Sequence, residues 1–219
     1  LSRVRNHYFN LQRLGVNYGV ESVPIKINSN YDEINNSFTI GIEKTQDNID
    51  IYFTTDDSEP ELTSRFQLNP FKITETTTLK LAAMVNQTVI TKTNRRFIFH
   101  NAMNRKIIYS TPYHSNYKSS GEIALTDGLR GTDNFKDGLW QGFNGTDFEV
   151  VVNLGTVQSI SSVTVGFIQA TSSWVVFPEY VDYLISSDGK NFIEAGKVQY
   201  PTSMRNPDPT IQDYTLQLQ

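Results

Sequence analysis

The chain has 219 residues, 38% hydrophobic and 19% charged, a balance that fits a folded globular protein and excludes an intrinsically disordered one. Its net charge is −4 with lysines and arginines scattered, so it lacks the basic stripe of a nucleic-acid binder. Cysteine is absent, which excludes disulfides and thiolate chemistry, and no apolar run approaches the roughly 20 residues that span a bilayer.

The length allows one large or two small domains. The opening Leu1-Ser2-Arg3-Val4-Arg5 is neither an initiator Met nor a secretory signal, so the chain reads as a fragment or mature piece. Over residues 7–18, Phe9, Leu11, Leu14, Val16 and Tyr18 stand among polar residues, and Gly15 after Leu14 marks the end of a short helix. The run L-x-x-L-G-V-N-Y with Pro24 after it resembles the last barrel helix of glycoside hydrolase family 20 β-N-acetylhexosaminidases.

From Ile25 to about His100 the pattern is β throughout. Phe38, Ile40 and Ile42 share one face, Ile49, Ile51 and Phe53 another, and Leu79, Leu81, Ala83 and Val85 a third, with Phe97 and Phe99 closing the set. Strands at this spacing, split by Asn, Asp and Thr clusters, predict a small Ig/fibronectin-like β-sandwich. Within it, residues 51–60, IYFTTDDSEP, resemble the Y-x-T-D-G-S-x-P signature of the chitobiase/β-hexosaminidase C-terminal domain, and Pro70-Phe71 and residues 77–83 match that family's second half. Asp57 stands where the family carries Gly. Asp tolerates a left-handed turn better than most residues, so the hairpin is expected to survive.

Residues 123–155 join a loop dense in Gly, Asp and Asn to a run in which Phe148, Val150, Val152 and Leu154 alternate with Glu149, Val151 and Asn153, a half-buried strand closed by Gly155. A loop this long inside a compact domain folds tightly on itself or carries a function. Val163, Val165 and Phe167 mark the next strand. Val181, Tyr183 and Ile185 mark one before a turn at Ser187-Asp188-Gly189-Lys190. The order of L-T-D-G, W-Q-G-F, D-x-E-V-V-V-N-L-G and S-D-G-K resembles the discoidin (F5/8 type C) domain, the jelly-roll class that includes carbohydrate-binding module family 32. The chain is thus expected to be all-β: a barrel-helix remnant and linker over 1–24, a chitobiase-type sandwich over 25–102, and a discoidin-like jelly roll over 103–219. Because such domains finish with one more strand than this chain supplies, the second sandwich is expected to lack its final strand.

No pair of carboxylates converges for glycosidic cleavage. Asp56 and Asp57 are neighbours whose side chains diverge, and turn chemistry explains them. The histidines, His7, His100 and His114, lack the spacing of a zinc motif. The discoidin resemblance implies a structural Ca²⁺ in the loop 125–133, held by Asp127, Thr132 and Asp133 with nearby carbonyls; the alternative is a tight Asp-Gly turn that needs no ion. For stacking on a sugar, Tyr113, His114 and Tyr117 in a polar loop and Trp174 before Pro178 are the candidates, beside Trp140, Phe143 and Phe177. The alternative is that these aromatics pack into the core.

Taken together, the resemblances imply the non-catalytic accessory region of an exported bacterial β-N-acetylhexosaminidase, periplasmic or at the cell surface. Its partners would be the upstream catalytic barrel and, weakly, terminal sugars of glycans. A freestanding adhesion or protein-binding discoidin module is the other reading.

Overall fold

The computed structural model describes residues 24–64, 69–201, 206 and 208–218. The helix expected over 7–18 lies outside the described residues. Among the described residues the chain is all-β, its strands interrupted by two 3-10 turns at Gly121–Ile123 and Thr171–Ser173. No helix among them is long and apolar enough to cross a membrane.

The first half is a sandwich. Strands β1 (Lys26–Asp32), β2 (Ser37–Glu43) and β4 (Phe71–Ile73) form one sheet in the order β1-β2-β4; β3 (Asp50–Thr54), β5 (Thr77–Val85) and β6 (Thr88–Phe97) lie in the other. The apolar alternation read from the sequence is what the sheets bury. Phe38, Ile40 and Ile42 from β2 and Ile73 from β4 meet Ile51, Phe53, Leu79, Leu81 and Phe97 in one core. Burying a side chain of this size is worth about 1.5–3 kcal/mol, so this core dominates the stability of the half. The Phe53 ring stacks on Phe71 at 4.7 Å and the Phe38 ring tilts against Phe97 at 5.0 Å, which ties the sheets face to face.

Turns follow from side-chain chemistry. The Asp32 carboxylate accepts the backbone N–H groups of Ile34 and Asn35, and Asn36 takes φ +44° to close the β1 to β2 hairpin. Asp57 adopts φ +63°, the left-handed position the sequence assigned to it, while Asp56 accepts the Ser58 N–H and O–H. Where β5 and β6 pair, the register slips between Ala83 and Met84, so Ile90 of β6 is left without a partner.

In the second half, β7 (Ile107–Tyr109) precedes β8 (Leu129–Arg130) and β9 (Val150–Val152), followed by β10 (Ser162–Gln169), β11 (Tyr180–Ile185), β12 (Ile193–Gln199) and β13 (Thr210–Gln217). They pair antiparallel as β7 with β9, β10 with β13, and β11 with β12. The strand expected over 148–154 is only three residues long, because β7 offers only three partners. Phe148 lies outside it and its ring turns into an aromatic core. That core is a chain of ring contacts, edge-on from Tyr113 to Tyr109 at 5.1 Å, stacked from Tyr109 to Phe143 at 6.4 Å, then edge-on from Phe143 to Phe148 at 4.9 Å, Phe148 to Phe167 at 6.2 Å, and Phe167 to Tyr214 at 5.1 Å. Tyr214, fully buried, ends the chain of rings beneath Tyr200 and Phe177, and its hydroxyl donates to the Pro178 carbonyl at 2.9 Å.

The β11 to β12 hairpin lies across β13. Gly196 allows it, since a Cβ there would stand 2.8 Å from Leu216 Cδ1. The Tyr183 hydroxyl donates to the Tyr214 carbonyl at 2.6 Å. In the turn of this hairpin Asp188 accepts the Lys190 and Asn191 N–H groups and the Ser186 hydroxyl, and Gly189 takes φ +70°. These bonds to its charged form hold the Asp188 carboxyl well below its ordinary range. Among the described residues β13 is paired along one edge only, and Leu184, Ile193 and Tyr180 of the hairpin are exposed.

Candidate functional site

The two halves meet along residues 125–132. Leu129 and Arg130 of β8 pair with Phe97 and Arg96 of β6, so a segment of the second half completes the sheet order β3-β5-β6-β8 of the first. The Ile98 N–H donates to the Gly128 carbonyl at 2.8 Å and the Asn104 N–H to the Thr126 carbonyl at 2.7 Å. Buried Thr126 donates its hydroxyl to the Arg105 carbonyl. Gly128, at φ +72°, fits against the Ile98 carbonyl and Met103, where any side chain would collide. Met103 itself belongs to the first core. From β8 the Arg130 guanidinium reaches the other way, to Asp213 on β13 at 2.5 Å, crossing the bare Cα of Gly166.

Each residue of W-Q-G-F has a mechanical role at this seam. The Trp140 indole packs directly against Gly131 and donates from Nε1 to the Thr132 carbonyl at 2.8 Å. Gln141 joins three segments: its Nε2 donates to the Lys118 and Gly121 carbonyls, and its Oε1 accepts the Tyr109 hydroxyl at 2.7 Å. Gly142 exchanges backbone bonds with the 114–117 loop, donating to the Tyr117 carbonyl at 3.0 Å and accepting the His114 N–H at 2.7 Å. Phe143 enters the aromatic core. The loop 113–119 is thereby clamped against the loop 132–142.

Between those loops runs a groove of about 390 Å³, lined by Ser115, Asn116, Tyr117, Lys118, Ser119, Phe135, Lys136, Gly138 and Trp140. Tyr117 is exposed, and its ring lies 6.1 Å from that of half-buried Phe135. Of the sugar-stacking candidates, Tyr117 stands in this groove. His114 is exposed beside it, 6.0 Å ring to ring, with its Nδ1 accepting the Asn116 N–H. Tyr113 is instead half-buried, packed on Tyr109 in the aromatic core. Trp174 is 86% exposed at the end of the second 3-10 turn, on a different loop, with φ +58°, a strained conformation for so bulky a residue. Phe135, Lys118 and Lys136 escaped the sequence reading, since a Phe inside an N-F-K-D turn has no periodicity to mark it. A larger concavity of about 580 Å³ opens beside Phe177, Glu179, Gln199, Tyr200 and Pro201, but its Tyr200 ring is committed to Tyr214 at 5.0 Å.

Of the three residues expected to hold Ca²⁺, Asp127 and Thr132 are engaged by other protein groups. Both oxygens of Asp127 accept protein donors, Oδ2 the Ser120 hydroxyl and Oδ1 the Leu129 N–H at 2.9 Å. Burial pushes the Asp127 carboxyl above its ordinary value, against these bonds and the Arg95 charge, which pull it down. Thr132 gives both its N–H and its hydroxyl to Asp137, at 2.7 and 2.8 Å, and Asp133 is exposed. Asp137, the Asp of the second Asp-Gly pair, is the residue that ties this loop. Calcium needs six to eight oxygens with several negative charges. Among the described residues no group of three or more His, Cys, Asp or Glu could hold a metal ion. The loop is held by these hydrogen bonds.

Residues 40–94 match the family model described as Fn3 associated. No curated protein matches the chain. The matched stretch runs from within β2 into β6, the heart of the first core, and so the first half is similar to fibronectin-associated β-sandwich domains.

Proposed function

We propose that the chain is a non-catalytic accessory region of an exported family 20 β-N-acetylhexosaminidase, in which the first sandwich supports the catalytic barrel and the second, discoidin-like half binds glycan. The sequence resemblances support the parent family. The groove supports glycan binding: an exposed Tyr117 beside Phe135 and Trp140 supplies apolar faces, and Ser115, Asn116 and Ser119 supply polar groups at its rim. Loops held by a rigid scaffold are where such sandwiches carry binding residues, and the W-Q-G-F contacts fix these two loops against each other. One shallow site of this kind gives millimolar affinity, about −4 kcal/mol. Titration of the ¹⁵N-labelled chain with N-acetylglucosamine, N-acetylgalactosamine and galactose is expected to move amides of residues 115–119 and 135–140. Unmoved amides in both loops up to tens of millimolar sugar would leave the second half a purely structural role.

A further inference from the structure

The groove carries charge that recognition of a neutral sugar does not use. Lys118 and Lys136 both line it, and the Lys136 ammonium sits 5.3 Å from the centre of the Phe135 ring. The ion pairs among the described residues engage Lys26, Lys44, Lys80, Lys92, Arg105, Lys106, Arg130 and Lys197, and leave both groove lysines out. Asp137, next to Lys136 in the chain, turns its oxygens to protein donors, the Thr132 N–H and hydroxyl on one and the Leu139 N–H on the other, and is not one of the acids that pair with a lysine among the described residues. Asp133 is exposed and is not part of the groove lining. Two lysines outside any ion pair among the described residues therefore line a groove that also holds Tyr117 and Phe135, on a chain whose net charge is −4.

We propose that the groove takes an anionic glycan, a pyranose chain bearing carboxylate or sulfate groups, in preference to a neutral one; this rests on the glycan-binding reading above. The sugar's C–H face stacks on Tyr117 and Phe135 while its acidic substituents meet the two ammonium groups. Each exposed charge contact contributes roughly a two- to fivefold gain in affinity. The negative charge of the rest of the chain opposes indiscriminate polyanion binding, so the preference belongs to this groove.

The test uses the full chain and three tetrasaccharides: chitotetraose, which is neutral; hyaluronan tetrasaccharide, which carries carboxylates only; and chondroitin 4-sulfate tetrasaccharide, which carries both acids. Amide shifts in 115–119 and 135–140 are expected with a Kd for hyaluronan at least about fivefold below that for chitotetraose. That preference is expected to vanish in K118Q/K136Q and to shrink as salt shortens the screening length from about 10 Å toward about 3 Å. Tighter binding of the chondroitin probe assigns sulfate to the lysines, and equal binding assigns carboxylate; either supports the proposal. Equal affinity for the neutral and acidic probes would overturn the anionic preference and leave the glycan site standing. Absence of shifts with all three would overturn both readings. Acidic binding that survives Y117A, in a variant with an otherwise native spectrum, would show plain charge attraction and overturn the stacked pose.

Discussion

Gly131→Ala tests whether the Trp140 indole holds the seam together. A Cβ at Gly131 would stand 2.8 Å from Trp140 Cδ2 and closer still to Cε2 and Nε1, where carbon atoms normally rest at about 3.5–4.0 Å. Gly131 has no left-handed φ, so the backbone accepts alanine and the whole cost falls on the ring. To clear the methyl group the indole must lift by more than about an ångström, which also breaks the bond from Nε1 to the Thr132 carbonyl. Overpacking of this kind costs about 1–3 kcal/mol, and the lost hydrogen bond about 0.5–1.5 kcal/mol. The total of about 2–4 kcal/mol corresponds to a fall in Tm of roughly 5–15 °C for a chain of this size. The chain has two tryptophans, and Trp174 is exposed, so a Trp174→Phe background leaves Trp140 as the sole indole reporter. Thermal melts followed by far-UV circular dichroism and by Trp140 emission are expected to shift down together, with native-state emission moved to the red. In a Trp140→Leu background the same glycine substitution should cost under about 0.5 kcal/mol, because the clash has gone. A Gly131→Ala variant that melts within a degree of the parent, with unchanged emission, would refute this account of the seam.

What the sequence disclosed and what it hid divide along the range of the interactions. Local rules act over two to four residues, and they placed the alternating strands of the first sandwich, the left-handed Asp57 and the Asp188 turn where the structure has them. The seam obeys no local rule. Leu129 and Arg130 are too short a run to read as a strand, and what makes them one is β6, more than thirty residues earlier. Asp133, at the end of the 125–133 loop, and Asp137, just beyond it, are both single acids in a polar turn. Only the path of the chain decides that Thr132 turns back onto Asp137, although the repeated Asp-Gly, first at Asp127-Gly128 and again at Asp137-Gly138, was a visible signal. Tyr113 and Tyr117 lie in one polar loop, yet one ring enters the core and the other faces solvent. The groove escaped for the same reason, because Lys118 and Lys136 come from loops that Gln141 and Gly142 bring together.

Three further outcomes follow from contacts that single substitutions can reach. Gly166→Ala would put a Cβ 2.7 Å from Arg130 Cζ and 2.9 Å from Asp213 Oδ1, so it should mimic Arg130→Gln; each is expected to cost less than about 1 kcal/mol, and denaturant melts of the double variant should show no added loss. Asp127→Asn should leave Tm at pH 7 unchanged or raised, because burial has lifted the Asp127 carboxyl and its charged form weakens the native state as pH rises past its ordinary value of 3.8. Asp127→Ala, which orphans the Leu129 N–H, should cost about 1–3 kcal/mol, whereas a chelator-sensitive Tm in the parent would restore the ion. Tyr183→Phe probes the hairpin that lies across β13. Burial pushes the Tyr183 phenol from 10.0 up to about 12. An acid whose pKa rises on folding contributes stability that is complete below its unfolded value and is lost as pH climbs through the folded one. The parent should therefore weaken between pH 10 and about 12, as the unfolded chain gives up a proton that the native state keeps. The phenylalanine variant cannot titrate there. It should start about 1 kcal/mol less stable at pH 7, for want of the bond to the Tyr214 carbonyl, and then decline on a shallower slope. Tyr31, Tyr109 and Tyr214, also raised by burial, keep part of that slope in both proteins. Alkaline limbs of identical slope in parent and variant, measured by urea melts across that window, would show that the Tyr183 hydroxyl is not buried against β13.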